Sequence, residues 1–151
     1  MVTKKRAWVS VVSAFFLALA WSAAAAVTVT VTGQTPGPTP FISNVQLVVS
    51  EPSALKSIQF EVASKPGSVV RPIRATYSRD YLEARGYLDP QTGEVTLPVF
   101  GLYADFANSV EVKAAFGGRG APRTTLEIDT PPFDDPTGVY VNPTVLQARY
   151  E

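Results

Sequence analysis

Few residues in this chain have the type and spacing to do chemistry. Asp80 and Glu83 stand three apart in SRDYLEARGY, so on a helical turn their carboxylates would share a face. Such a pair runs acid–base chemistry only where its surroundings drive the two pKa values apart. Arg79 and Arg85 flank it in a short polar segment, which favours two solvated acids. Asp134 and Asp135 in FDDPTG offer oxygens to a hard cation, but calcium wants several more than two carboxylates supply. A turn before Pro136 is the better reading. Arg71, Arg74, Arg79 and Arg85 form the one basic cluster. Guanidiniums grip sulfate or carboxylate in bidentate fashion, yet nothing in the spacing makes these four converge, and charged strand edges that block aggregation account for them. The GGRG of Gly117–Gly120 lacks the Gly-Lys-Ser/Thr ending of a phosphate loop and lies between two strand-like runs, so a hairpin turn is expected there.

The absences decide more. The 151 residues contain no histidine and no cysteine. That removes Ser-His-Asp chemistry, a histidine nucleophile, imidazole or thiolate metal sites and disulfides together. No catalytic, cofactor-binding or metal-binding residue is therefore expected, and no cofactor.

The elements that must position whatever remains are strands. Period-two alternation recurs through Val45, Leu47, Val49, then Ile58, Phe60, Val62, then Ile73, Ala75, Tyr77, and again at Val95, Leu97, Val99. Val110, Val112, Ala114 and Phe116 alternate up to FGGRGAP, and Thr124, Leu126 and Ile128 return from it. Pro72 and Pro98 mark strand ends or sheet edges. One helical turn over Tyr81–Arg85 is expected, capped by Ser78 and ended by Gly86. Six or seven short strands separated by turns predict an all-β fold, a small antiparallel β-sandwich of immunoglobulin or fibronectin III type.

The N-terminus MVTKKRAWVSVVSAFFLALAWSAAAAV has a basic start at Lys4, Lys5 and Arg6, an apolar run from Ala7 to Trp21 and small residues at Ala24–Ala26. It reads as a signal peptide over 1–26, removed on export to a periplasmic or secreted location, rather than an uncleaved anchor. Ten bases then face thirteen acids, a mildly acidic balance that argues against a nucleic-acid partner. No membrane contact is expected after cleavage. The order predicted is a Pro/Gly-rich linker over 27–40 containing GQTPGPTP, the sandwich over 41–130, and an extended connector over 131–151 leading toward a missing C-terminal region.

The densest apolar stretch is EVTLPVFGLYADFANSVEV. Phe100, Leu102, Tyr103 and Phe106 have the composition of an aromatic cleft, but a corner between two strands explains them better. In such a corner a tyrosine is buried and its hydroxyl bonds back to backbone. Phe100, Gly101, Leu102, Tyr103, Phe106 and Asn108 are assigned to that structural corner, with its aromatics packed.

This stretch, preceded by IQFEVASKPGSVVRPIRATYSRDYLEARGY and followed by IDTPPFDDP, resembles the N-terminal domain of bacterial aryl-sulfate sulfotransferases from about Pro40 to Pro136. Its sharpest element is FGLY-x-x-FAN-x-V at Phe100–Val110. The resemblance implies a small β-sandwich placed ahead of a β-propeller. That propeller moves a sulfuryl group from a phenolic sulfate to a phenol through a sulfated histidine, and homodimers occur. It carries no catalytic residue onto this chain. The expected function is a non-catalytic module of an exported sulfotransferase-type protein, a fragment or split gene product, serving packing or dimerisation against a propeller domain or a second copy. The alternatives are a stand-alone exported immunoglobulin-like binding module and, far behind, an arginine- and carboxylate-based enzyme acting on a sulfated substrate.

Overall fold

A computed structural model describes residues 26–138. The expected signal peptide, apart from Ala26, and the connector beyond residue 138 lie outside the described residues.

Alternation becomes strand wherever it was expected. In chain order the elements are β1 (Val29–Pro36), β2 (Ile42–Val49), β3 (Leu55–Val62), β4 (Ile73–Ser78), a short helix α1 (Arg79–Ala84), β5 (Glu94–Phe100), β6 (Phe106–Phe116) and β7 (Arg123–Thr130). They form two antiparallel sheets, β1-β2-β5 and β4-β3-β6-β7, packed face to face as an immunoglobulin-like sandwich. Every second residue points inward, which is why Val45, Leu47 and Val49 from β2 meet Ile58, Phe60 and Val62 from β3 in one core. Leu97, Val99, Val110 and Val112 complete it, each wholly removed from water. Burying an aliphatic side chain of this size contributes about 1.5–3 kcal/mol. Without disulfides, that core must carry the fold.

One expectation fails here. The Pro/Gly-rich linker expected over 27–40 is strand for most of its length: Val29–Pro36 form β1, whose second half, Gly33–Pro36, pairs with Ser43–Gln46. The register shifts between Val31 and Gly33, a bulge that lets the edge strand turn and continue. Pro36 ends an edge strand, where a missing N–H costs little. Only residues 37–41 make the connection, and there the Gly37 N–H donates to the Ile42 carbonyl at 2.9 Å.

The other prolines sit where a sheet tolerates them. Pro72 precedes edge strand β4, and Pro98 lies within edge strand β5 opposite Asn44. Helix α1 begins as its sequence dictates: the Ser78 hydroxyl accepts the Tyr81 N–H at 3.2 Å, Leu82 is buried, and Gly86 leaves at φ +67°.

The two sheets are fastened along one flank by Tyr77 of β4, whose hydroxyl donates to the Pro98 carbonyl of β5 at 2.8 Å. Burial pushes the Tyr77 phenol above its ordinary pKa. Along the other flank β1 runs beside β7.

Candidate functional site

Antiparallel connectivity gathers four segments at one end of the sandwich: 37–41, 63–72, 101–105 and the chain leaving β7 from residue 131. The FGLY…FAN stretch is the third of these. Its shape is set by Asn108, an inward-facing β6 residue only 1% exposed. The Asn108 Oδ1 accepts the Tyr103 N–H at 2.8 Å. Its Nδ2 donates to the carbonyls of Tyr103 and Phe106, both at 3.0 Å, with Ile128 O and Thr130 Oγ1 at 3.3 Å. The Thr130 hydroxyl donates in turn to Tyr103 O at 2.5 Å. One amide thus closes a loop whose backbone groups have no ladder to join.

Gly101 sits at φ +81°, and a Cβ there would come within 2.5 Å of Ile73 Cδ1, so glycine is required by both conformation and space. The Gly101 and Leu102 N–H groups both donate to Phe41 O, which ties the corner to the 37–41 turn.

Two details differ from the sequence reading. The Tyr103 hydroxyl does not bond back to backbone; it is buried and has no hydrogen-bond partner among the described residues. Tyr77 makes the tyrosine-to-carbonyl bond instead, because its register places it against β5. Phe100, assigned to packed aromatics, is 43% exposed and only edges onto the Phe60 ring at 5.2 Å. As the last residue of β5 it lies at the open end of the core, one edge on Phe60 and the rest in solvent. Tyr103 and Phe106 stand edge to face at 5.9 Å, and the Lys65 ammonium lies 4.8 Å from the centre of the Phe106 ring. A buried hydroxyl without a partner costs roughly 1–3 kcal/mol. Tyr103→Phe is therefore expected to hold or raise the melting temperature, and a clear fall on thermal unfolding would show that the hydroxyl is satisfied.

The basic cluster does not converge. Arg74 pairs with Glu61 at 2.6 Å, Arg79 with Glu83 at 2.7 Å across one helical turn, and Arg85 lies over the Tyr81 ring, while Arg71 is exposed. The hydrogen bond from Arg74 holds the Glu61 carboxyl below its ordinary pKa. Asp80 and Glu83 do not face one another as an acid–base pair: Asp80 is exposed and Glu83 belongs to Arg79. Asp135 begins a turn, with Gly138 N–H donating to its carbonyl and the Thr137 hydroxyl to its carboxylate, both at 3.1 Å. The GGRG segment is the tip of the β6–β7 hairpin at the opposite end, where Arg119 pairs with Glu51 and Gly117 N–H donates to Ala54 O. Among the described residues no group of three or more acids could hold a metal ion, and no helix is long and apolar enough to cross a membrane.

A cleft of about 320 Å³ opens where the ends of β1 and β7 diverge, lined by Pro36, Pro38, Pro40, Ile42, Ile128 and Pro131 among others. Sequence reasoning missed it because three of those prolines were assigned to a linker. The alternation of Val27, Val29 and Val31 into Gly33 was the available clue.

An antiparallel sandwich of two facing sheets whose loops collect at its ends is an immunoglobulin-like domain. Residues 37–131, more than half of the sequence, match the family model of the arylsulfotransferase Ig-like domain, and the chain belongs to that family. No curated protein matches the chain.

Proposed function

We propose that the chain is the non-catalytic immunoglobulin-like module of an exported arylsulfotransferase-type protein and that it works by packing or dimerisation. The observation that carries this reading is the disposition of the ionisable groups. Arg74, Arg79, Arg119 and Arg123 are each paired with a glutamate on the surface, so the described residues bring no nucleophile, base and anion-binding group together. Sulfuryl transfer through a sulfated histidine also needs an imidazole, which this sequence does not supply.

The purified chain should release no phenol from 4-nitrophenyl sulfate with a phenol acceptor beyond the buffer blank. Turnover that survives repurification would end the non-catalytic reading. Export is checked separately by N-terminal sequencing of the chain from the exported fraction, with Val27 expected first; a retained Met1 would overturn it.

A further inference from the structure

A sheet must dispose of its edge strands, and three of the four edges of this sandwich are blunted. β1 carries the bulge between Val31 and Gly33 and ends at Pro36. β5 contains Pro98; its Thr96 N–H donates to Tyr87 O at 2.8 Å, and its Pro98 carbonyl takes the Tyr77 hydroxyl. β4 is short and follows Pro72. β7 has none of these devices. Its eight residues, Arg123–Thr130, include neither proline nor glycine and pair with β6 without a register shift.

Ladder geometry fixes where its free groups point. The Ala114 N–H donates to Pro122 O and the Asn108 amide reaches Ile128 O, so the even-numbered residues of β7 bond toward β6. Sides alternate residue by residue in an antiparallel ladder, which turns the N–H and C=O of Glu127 and Asp129 to the open edge. On the facing strand the Gly37 N–H donates to Ile42 O in the same register as Thr35 with Asn44. By the same alternation Gln34 turns its backbone groups away from β2. The two edges meet at the proline-lined cleft, whose walls include Gln34, Ile42, Ile128 and Asp129, and they belong to different sheets with no ladder between them.

The side chains select what fits. Glu127 and Asp129 are exposed and make no ion pair among the described residues, whereas Arg123 further back on the strand is paired with Glu111. The cleft beside them is apolar, with Ile128, Ile42, Pro36 and Pro38 in its walls. A strand laid here would therefore show bases beside Glu127 and Asp129 and turn its alternate, aliphatic residues into the cleft. A second β7 paired at the cleft would set acids beside acids, which is unfavourable.

We propose that the cleft end of β7 accepts an extended segment of another protein as an added strand, one in which lysine or arginine alternates with aliphatic residues. Main-chain bonds to Glu127, Asp129 and Gln34 would hold such a segment, and the two carboxylates with the apolar cleft would choose it. This goes beyond the non-catalytic reading, which turnover alone removes.

Titrating the full chain with the end-blocked peptide Thr-Lys-Val-Lys-Val-Lys-Thr, followed by amide NMR, tests it. Shifts and slowed hydrogen exchange are expected at Gln34, Glu127 and Asp129. Changing Glu127→Lys and Asp129→Lys together alters two exposed side chains, should leave the melting temperature alone, and should weaken the complex about tenfold or more. The same double variant should prefer the peptide with glutamate in place of lysine. N-methylation of the peptide's edge-facing amides should also weaken binding about tenfold, since it removes donors without touching charge. A titration without shifts at those three residues, a double variant that binds the lysine peptide as before, or an N-methylated peptide that binds as tightly as its parent would each overturn the proposal.

Discussion

Asn108→Ala is expected to melt well below the parent chain, by about 12–30 °C, because the substitution strips hydrogen bonds from several backbone groups at once. The Tyr103 N–H loses the Asn108 acceptor, and the carbonyls of Tyr103 and Phe106 lose one of their donors, keeping only the Thr130 hydroxyl of the two side chains that serve them. Each buried polar group left unpaired costs about 1–3 kcal/mol, so a total near 3–4 kcal/mol is reasonable. For a domain of this size each kcal/mol moves the midpoint by roughly 4–8 °C. Asn108→Asp sharpens the test. It keeps an acceptor for Tyr103 N–H but turns the carboxylate toward carbonyl oxygens. Its folded-state pKa should therefore lie above the unfolded value, and the variant should gain stability as pH falls through that range. Circular dichroism melts across pH would show this, and a flat pH profile with an unchanged midpoint would mean that the corner does not depend on the amide.

Phe60→Ala should cost about 3–5 kcal/mol, the usual range for truncating a buried aromatic ring. The ring is fully buried on central strand β3, 5.2 Å edge-on from Phe100 and 6.2 Å from Tyr77. Its removal opens a cavity between sheets that close-packed neighbours cannot fill. Urea unfolding should give a lower midpoint with an unchanged slope. A loss under about 1 kcal/mol would mean that the sheets can close over the gap, contrary to the packing around Tyr77 and Phe100.

The strands were legible because burial on one face writes itself into the sequence as alternation, and Val45-x-Leu47-x-Val49 could hardly be anything else. The Ser78 cap and Gly86 stop were legible for a similar local reason. What depends on register between distant segments was not. Nothing near Tyr103 or Tyr77 says which hydroxyl will meet a carbonyl; that follows from β4 lying beside β5. The pairing of Arg74 with Glu61 follows from the two residues standing opposite across β3 and β4, and it disperses what looked like a cluster. The prolines of β1 misled for another reason: at an edge strand the residue that forbids a central strand is tolerated.

The pairing of β2 with β5 has a consequence for the order in which the molecule can assemble. Val45 finds its partner in Leu97, roughly 50 residues further on, so the smaller sheet is closed by a long-range contact that forms against loop entropy. Until β5 is available, the β1–β2 hairpin holds Val45, Leu47 and Val49 with no third strand beside them. Folding in the millisecond-to-second range typical of such topologies follows, and a chain cut short before Phe100 lacks the strand that completes the sheet. The interval between making the first hairpin and its fifth strand is the period in which this domain most needs protection from its neighbours.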